Sequence, residues 1–219
     1  MKKQFIVIGL GRFGSSVAKN LYKLGYEVMA VDKNEDIVQD IANEVTHAVQ
    51  VDATDENSLK ALGIRNFDVA VITIGENIQA SIMITLMVKE LGIKYIISKA
   101  KNELHAKVLE KIGADRVVLP ERDMGVRVAH NLASSNIMDY IELSPEYSIM
   151  EICPVEDWYG KSLQELSLRS KFGLNIIAIK SDSSVNVNPL AEDIITHGSV
   201  LVAVGSEKDI AKIGRGFNR

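Results

Sequence analysis

The sequence predicts an α/β protein in which a doubly wound parallel sheet is followed by a small α+β domain. Short β-branched runs alternate with segments of helical period over the first 120 residues. Runs such as Val69-Ala70-Val71-Ile72 are apolar on both faces, which is typical of a sheet that helices cover on both sides. After residue 136 the pattern changes to strand-like runs with little helix. These three observations together predict the fold class.

Six strands are predicted in the first part of the chain, and helical segments connect them. The predicted strands are residues 5–8, 28–31, 48–51, 69–74, 95–98 and 117–119. Amphipathic stretches lie between them, for example at residues 17–24, 37–42 and 104–112. Helix ends are marked by Gly25, Gly63, Gly92 and Gly113, which each follow a helical segment. This alternation favours parallel strands joined by crossover helices.

The second part opens with a connecting helix, predicted at about residues 121–134. Its apolar stripe is formed by Val126, Val128, Ala129 and Leu132. Strand-like runs follow at residues 147–152, 176–180, 185–187 and 199–204, with one helical piece at residues 163–168. The turn Ser181-Asp182-Ser183-Ser184 predicts a hairpin.

The chain is therefore divided into residues 1–136, which include the connecting helix, and residues 137–219. A domain of about 80 residues buries only a limited core, so we expect the second domain to pack against a partner.

Composition and charge exclude several classes of protein. The 219 residues carry 25 Lys and Arg against 29 Asp and Glu, so the chain is not a basic body that binds nucleic acid by releasing counterions. The single cysteine, Cys153, cannot form an internal disulfide, which favours a reducing compartment. Apolar runs are shorter than the roughly 20 residues of a membrane span. We expect a soluble, cytoplasmic protein that does not bind nucleic acid.

A glycine motif directly after the first strand predicts a nucleotide site. Gly9-Leu10-Gly11-Arg12-Phe13-Gly14 has the G-x-G-x-x-G spacing of Rossmann-type folds. In that motif the first glycine makes the tight turn, the second admits a phosphate, and the third lets helix and strand pack closely. Asp32, at the end of the second strand, is placed to accept hydrogen bonds from a ribose. The alternative is that the glycines serve only turns and packing.

Other strand ends should face the same crevice, because ligands of open α/β sheets bind beyond the carboxyl ends of the strands. Arg12 could clamp phosphate oxygens, and Lys99 could reach a terminal phosphate. Glu121 could hold a divalent ion. The residues alone leave alternatives open, since Arg12 could be a solvated surface residue and Glu121 a favourable residue in the first turn of a helix. The remaining strand-end segments are Asp52-Ala53-Thr54 and Ile74-Gly75-Glu76-Asn77.

Residues for catalysis are sparse. The second domain has one histidine, His197, and lacks the acid, base and substrate clamps that a dehydrogenase needs beside its cofactor. We therefore expect a nucleotide-binding protein that is not an enzyme. Two rivals stay open at this point: an NAD(P)-dependent oxidoreductase, and a redox-sensing regulator built on the same nucleotide-binding domain.

The chain also resembles a known family over essentially its whole length. The motifs that carry the resemblance, besides residues 8–14, are Ala30-Val31-Asp32, Ala61-Leu62-Gly63-Ile64-Arg65-Asn66-Phe67, Ile74-Gly75-Glu76-Asn77-Ile78-Gln79-Ala80-Ser81, Val108-Leu109-Glu110-Lys111-Ile112-Gly113-Ala114-Asp115 and Pro120-Glu121-Arg122-Asp123-Met124-Gly125. In this order they resemble the RCK (regulator of K⁺ conductance) family, in particular the cytosolic regulatory subunits of Ktr/Trk-type K⁺ uptake systems.

This resemblance implies a gating ring. Homodimers formed through the connecting helix would assemble as an octameric ring beneath a membrane K⁺-translocating subunit. ATP and ADP would compete for the Rossmann site, with NAD(H) a ligand in some relatives, and cyclic di-AMP would bind at the dimer interface of the C-terminal domain and inhibit.

The resemblance also assigns residues to both sites. Arg12 would contact phosphates across the dimer interface, Asp32 the ribose, Asp52 and Ala53 the adenine end, Lys99 the terminal phosphate, and Glu121 a Mg²⁺ or Na⁺ ion. The full nucleotide set is Gly9, Gly11, Arg12, Phe13, Gly14, Asp32, Lys33, Asp52, Ala53, Ile74, Gly75, Lys99 and Glu121. The cyclic di-AMP set is Leu163, Leu168, Arg169, Asn175, Ile176, Ile177 and Pro189. From the residues alone, Leu163, Leu168 and Ile177 are predicted to be ordinary core positions.

Overall fold

The computed structural model describes residues 2–133, 136–144, 146–181, 184–206 and 208–209. The chain forms two compact units, Met1–Glu121 and Arg122–Arg219. The division falls inside the connecting helix, which the sequence-based division assigns entirely to the first domain. Each unit is described by itself below.

The first unit alternates strands and helices from its start. Its elements are β1 (Gln4–Ile8), α1 (Arg12–Lys23), β2 (Glu27–Asp32), α2 (Glu35–Ile41), β3 (His47–Gln50), α3 (Glu56–Ala61), β4 (Val69–Ile72), α4 (Ile78–Glu90), β5 (Tyr95–Lys99), α5 (Glu103–Lys111) and β6 (Arg116–Val118), with short 3₁₀ turns at Ala42–Glu44 and Ile64–Asn66. The strands form one parallel sheet in the order β3-β2-β1-β4-β5-β6. The prediction of a doubly wound parallel sheet is confirmed.

Helices cover this sheet on both faces because consecutive residues of its central strands are apolar. In β1, Ile6 and Ile8 pack into one cluster with Ile84 and Val88 of α4. Val7, between them, packs on the other face with Ala18 of α1 and its neighbours. Consecutive strand residues point to opposite faces, so an uninterrupted apolar run supplies both layers.

The strand order fixes where a ligand can bind. β2 and β3 lie on one side of β1, whereas β4, β5 and β6 lie on the other side. The connections after β1 and β4 therefore diverge and leave a crevice at the carboxyl ends of these two strands, which is the usual ligand position in such sheets.

The second unit is an antiparallel sheet with short helices. α6 (Pro120–Ala133) leads into it from the first unit. The other elements are β7 (Ile137–Glu142), β8 (Tyr147–Ile152), α7 (Leu163–Leu166), α8 (Leu168–Phe172), β9 (Asn175–Ser181), β10 (Ser184–Asn186) and β11 (Val200–Ser206), with a 3₁₀ turn at Glu156–Trp158. The sheet order is β10-β9-β11-β8-β7. The predicted hairpin is confirmed by the antiparallel pairing of Ser181 with Ser184, while Asp182 and Ser183 lie outside the described residues.

Three local features differ from the sequence-based expectation. β7 was not predicted as a strand. The helical piece predicted at residues 163–168 is two short helices, because Ser167 between them adopts the left-handed conformation, with φ of 49°. The connecting helix begins at Pro120 and is described through Ala133, so Ser134 lies outside the described residues.

Side-chain contacts hold the later part of α6 to β7 within the second unit. The Arg127 guanidinium donates hydrogen bonds to both carboxylate oxygens of Asp139. The contact lowers the pKa of Asp139 and raises that of Arg127. One turn further along α6, the His130 ring stacks on Tyr140 with 4.0 Å between ring centroids. These two contacts orient the helix on the edge strand.

No helix in the described part of the chain is both long and apolar enough to span a membrane.

The close approach of α1 to the sheet predicts a strong effect of Gly14→Ala on stability. A Cβ at Gly14 would collide with the carbonyl oxygen of Gly9 and the hydroxyl of Thr73, and the first of these is backbone that cannot rotate away. We expect the free energy of unfolding to fall by about 3 kcal/mol, measured by urea denaturation followed by circular dichroism.

The control for this prediction is Gly11→Ser in the same loop. Gly11 has an extended backbone, and its Cβ would meet nothing within 4 Å. Serine is also well accepted at the start of a helix, so stability should change by less than about 0.5 kcal/mol. Equal unfolding midpoints for Gly14→Ala and the unsubstituted chain would contradict the packing argument.

Candidate functional site: a cleft at the carboxyl edge of the parallel sheet

A cleft of about 370 Å³ lies at the crevice that the strand order predicts. This volume is within the usual range of small-molecule sites. The motif residues that line the cleft are Gly9, Gly11, Asp32, Lys33, Asp52, Ala53, Ile74 and Gly75. The other lining residues are Ile8, Val31, Val51, Thr54, Thr73, Glu76, Asn77, Ala80 and Ile84.

The glycine loop is held by the strands beside it. Gly9 turns the chain with φ of 92°, a conformation that favours glycine, and its N–H donates to the carbonyl of Val31 at 2.8 Å. The next residue, Leu10, donates its N–H to Oδ2 of Asp32 at 2.6 Å. The loop is thus fixed to the end of β2 by two hydrogen bonds.

Thr73 fixes the same loop from β4, and sequence reasoning missed this role. Its hydroxyl donates to the carbonyl oxygen of Gly9 and lies against Gly14. The only signal in the sequence is a hydroxyl residue at the end of an otherwise apolar strand run. Because it follows β4 immediately, Thr73 also lines the cleft.

The N-terminus of α1 differs from those of the other helices wholly inside the first unit. The helices α2, α3, α4 and α5 each begin with a side-chain cap, supplied by Asn34, Asp55, Asn77 and Asn102. α1 begins at Arg12, after Gly11, which supplies no side-chain cap, and the helix carries no acidic residue in its first turn. Its first N–H groups and its positive dipole end are therefore available to an anion.

Packing within the described chain does not require glycine at residue 11. Its φ and ψ, −61° and −179°, suit any residue, and a Cβ there would point into open space. Gly11 itself lines the cleft. Gly9 and Gly14, in contrast, are each required by the surrounding structure.

Asp32 can still accept hydrogen bonds from a ligand. Its two carboxylate oxygens each accept one backbone N–H, from Leu10 at 2.6 Å and from Asn34 at 3.0 Å. A carboxylate offers about four lone-pair positions, so two remain for the hydroxyls of a ribose.

Asp52 is a second carboxylate in the lining of the cleft. Its Oδ1 accepts from the hydroxyl of Thr54 at 2.6 Å and from the Thr54 N–H at 2.9 Å. The hydroxyl contact is the main reason that the pKa of Asp52 lies below its ordinary value, with Lys33 adding a smaller electrostatic effect. Asp52 is therefore an ionised acceptor beside Ala53.

Lys99 and Glu121 form an ion pair that the sequence analysis did not predict. Lys99 Nζ lies 2.6 Å from Glu121 Oε1. This contact is the first cause of the lowered pKa of Glu121, and the charge of Arg12 also contributes. The Lys99 amine also lies close to two other predicted residues, since it is 6.0 Å from the centroid of the Phe13 ring and packs over Gly75.

The predicted nucleotide residues thus fall into three groups. Eight of the thirteen line the cleft directly. Lys99 and Glu121 form a polar corner beside Gly75, next to the Phe13 ring. The described lining of the cleft does not include Arg12 or Gly14. Glu121 offers one carboxylate, and the described residues contain no group of three His, Cys, Asp or Glu that could hold a metal ion. A cation at Glu121 would need further oxygen ligands, such as those of a phosphate.

A second cavity, of about 340 Å³, lies at the amino ends of β1, β2 and β3. None of the described residues that line it belongs to either predicted site.

In the second unit, the residues predicted for cyclic di-AMP lie around α7, α8 and the start of β9. Arg169 and Asn175 are exposed, and Ile177 is 36% exposed. Leu168 is only 3% exposed and belongs to the core, which is the position predicted for it from the residues alone. Leu163 and Ile176 are partly buried against the same core.

The loop that carries Pro189 is held against the start of α7. The carboxylate of Asp193 accepts the N–H of Leu190 at 2.8 Å, and its carbonyl accepts the N–H of Leu163 at 3.1 Å. These bonds bring the loop and Leu163 together. Of the predicted set, Arg169, Asn175 and Ile177 are exposed, and Pro189 is partly buried.

The geometry at Asp52 predicts the effect of Thr54→Val. Loss of the hydroxyl donor should raise the pKa of Asp52 toward its ordinary value of 3.8, as measured by NMR titration of the carboxyl carbon. A lowered pKa contributes stability that is present above the unfolded-state value and is lost as pH falls through the folded-state pKa. The variant should therefore lose less stability on acidification than the unsubstituted chain.

Asp55 serves as the internal reference for this titration. The Ser58 hydroxyl holds its pKa low, and Thr54→Val leaves that contact intact. An unchanged Asp52 pKa in the variant would refute the assignment of Thr54 as its principal donor.

Comparison with known proteins agrees with the two-part architecture. Residues 5–120 match the TrkA-N domain family, and residues 154–218 match the TrkA-C domain family. Ktr system potassium uptake protein C of Bacillus subtilis (strain 168) is 52% identical over 212 residues, which cover 97% of this chain and 96% of that protein. Ktr system potassium uptake protein A of the same organism is 50% identical over 210 residues, with 96% and 95% covered.

Solved structures show the same fold. The GsuK RCK domain superposes with a TM-score of 0.70 at 21% identity and covers all of this chain, which spans 48% of the GsuK chain. The GsuK channel bound to NAD gives a TM-score of 0.69 at 22% identity, covering 97% of this chain and 39% of the channel chain. By domain content and by its identity with the Ktr proteins, the chain belongs to the RCK family as a KtrA-type subunit.

Proposed function

We propose that this chain is the cytosolic regulatory subunit of a Ktr/Trk-type K⁺ uptake system, gated by nucleotides and without enzymatic activity. ATP and ADP compete for the cleft of the first unit, and cyclic di-AMP binds the second unit at a dimer interface and inhibits uptake. Homodimers assemble into an octameric ring beneath a membrane K⁺-translocating subunit. Support for the transport role comes from relatives at 50–52% identity that are named Ktr system potassium uptake proteins.

One observation carries the assignment of the ligand. The uncapped N-terminus of α1 lies directly beside the cleft, and the residue that opens it, Gly11, leaves space where a phosphate would bind. Asp32 and Asp52 supply acceptors further along the cleft, where a ribose and an adenine would lie. The lining therefore suits a nucleotide, with its phosphates at the helix end.

Two cations near the cleft, Arg12 and Lys99, favour a polyphosphate over a single phosphate. Arg12 is exposed at the helix start, and Lys99 lies beside Gly75 at the cleft wall. In the proposed complex Lys99 contacts the terminal phosphate, while Arg12 contacts phosphates of the partner protomer. Glu121 holds a Mg²⁺ or Na⁺ ion whose other ligands include phosphate oxygens.

The surface of α6 supports dimerisation. No residue of the described helix is buried. The helix exposes four large apolar side chains, and Leu132 is 83% exposed; the others are Met124, Val126 and Val128. Met124, Val128 and Leu132 follow one another at four-residue spacing, so they form one stripe along the helix. Exposed apolar side chains grouped in this way are typical of a protein interface. We assign this stripe to the homodimer contact.

In the second unit, the proposed cyclic di-AMP site uses the three exposed members of the predicted set together with the partly buried Pro189. Arg169 contacts phosphate, Asn175 makes a polar contact, and Ile177 and Pro189 contact adenine. Leu168 acts from the core beneath them, since it is nearly fully buried. The charge and exposure of Arg169 support its role in binding an anion.

Gly11→Ser tests the nucleotide site. The added side chain would occupy the space of the phosphate, and its hydroxyl would accept the N–H groups that a phosphate uses. We expect ATP affinity to fall by at least about tenfold, or ~1.4 kcal/mol, in calorimetric titrations with the folded variant. Unchanged ATP affinity would contradict the placement of phosphates at α1.

The same variant tests the gating role in vesicles that contain the membrane subunit. The unsubstituted chain should give faster K⁺ uptake with ATP than with ADP, and Gly11→Ser should abolish this difference. A nucleotide can drive gating only through different affinities for the two conformations, so equal uptake with ATP and ADP in the unsubstituted chain would refute the proposal.

Arg169→Ala tests the second site, and Lys171→Ala is its matched control. Both cations are exposed in α8, but only Arg169 belongs to the proposed site. We expect Arg169→Ala to weaken cyclic di-AMP binding by about tenfold or more, and Lys171→Ala to change it by less than about twofold. Equal effects of the two substitutions, measured by calorimetry, would indicate only nonspecific charge attraction.

A further inference from the structure

Two residues of the proposed nucleotide site, Lys99 and Glu121, form an ion pair with each other in the described structure. We propose that the terminal phosphate of ATP displaces Glu121 from Lys99, so that recognition of the triphosphate and release of the carboxylate are one exchange. This inference rests on the proposed function of the cleft and deepens it, because it makes Lys99 the residue that distinguishes ATP from ADP.

Lys99 is fixed at the point where the exchange would occur. It is the last residue of β5, and its amine lies 2.6 Å from Glu121 Oε1. A Cβ at Gly75 would lie 3.3 Å from this amine and 3.4 Å from its Cε, so the lysine packs on the wall of the cleft. The ring of Phe13, in the first turn of α1, has its centroid 6.0 Å from the amine.

The two partners differ greatly in exposure. The Lys99 side chain is 15% exposed, whereas that of Glu121 is 70% exposed. A lysine whose side chain is mostly buried gains from an anionic partner, while an exposed carboxylate is readily solvated by water. Glu121 also lies in the first turn of α6, where the helix dipole favours a negative charge. Glu121 can therefore leave at low cost, and Lys99 will accept another anion.

A terminal phosphate is the anion that meets this requirement. The diphosphate of ADP ends one group earlier, so in the proposed complex it leaves Lys99 paired with Glu121. With ATP, the γ-phosphate pairs with Lys99, and the released carboxylate becomes available to a cation on the phosphates. Glu121 is the last residue of the first unit, and α6 continues from it into the second.

The test is a double-substitution cycle on the full chain in the presence of EDTA, with ATP and ADP titrated by calorimetry. Glu121→Gln removes the competitor for Lys99, so we expect ATP to bind about two- to fivefold more tightly and ADP affinity to stay the same. In a Lys99→Gln background the further change Glu121→Gln should have no effect on ATP affinity.

Asp123→Asn is the matched control. Asp123 lies in the same turn of α6 but pairs with Arg122 at 2.8 Å, so its loss changes the net charge equally without freeing Lys99. We expect it to leave both affinities unchanged. Thermal unfolding verifies that each variant is folded. If Lys99→Gln does not fold, the test is whether Glu121→Gln raises the affinity for ATP without raising the affinity for ADP.

Several outcomes would overturn the exchange. A gain in ATP affinity that persists without Lys99 would indicate direct repulsion between Glu121 and the phosphates. Weaker ATP binding by Glu121→Gln in EDTA, or an equal gain for ADP, would also contradict it. Failure of the unsubstituted chain to bind ATP at all would instead reject the proposed function, and the exchange with it.

Discussion

The position of the glycine loop is the constraint on which the proposed site depends. The loop is held from β2 by Asp32 and the carbonyl of Val31, and from β4 by the hydroxyl of Thr73. These contacts place the start of α1 against the sheet so closely that only glycine fits at residue 14. The helix end is therefore positioned before a ligand arrives, and little conformational entropy remains to be lost on binding.

The rest of the site follows from the order of the strands. Because β1 lies between β2 and β4, residues far apart in sequence meet at one edge of the sheet. The acceptors Asp32 and Asp52 line the cleft, while Lys99 and Glu121 form a polar corner at its wall. In the proposed complex, one region of this arrangement holds the nucleoside and the other holds the charged phosphates. The number of phosphates can then determine which charged contacts form, which is the requirement for a ligand to shift a conformational equilibrium.

Much of the fold was predictable because its information is local. Strands that are apolar on both faces, such as Val69–Ile72, predict a sheet with two helical layers. β7 was missed because it is an edge strand that contains Asp139 and has a bulge, so its pattern does not alternate cleanly. The carboxylate of Asp139 pairs with Arg127, a contact that forms only in the tertiary structure.

The sequence predicted individual residues of the candidate site, but it did not predict which of them contact each other. The glycine spacing and the strand-end rule predicted which side chains gather at the cleft, but neither predicts that Lys99 binds Glu121. Likewise, the sequence could not distinguish a core leucine from a ligand-binding one at Leu168, because both roles require the same apolar side chain.

The central claim is that the first unit binds adenine nucleotides for regulation and the second unit binds a separate ligand. Calorimetric titration of the full chain with ATP, ADP, NADH and cyclic di-AMP tests it most directly. The account predicts that ATP and ADP compete for one site, and that cyclic di-AMP still binds when that site is saturated with ATP. Tight NADH binding without any response to ATP or cyclic di-AMP would contradict the account and favour an oxidoreductase or a redox sensor.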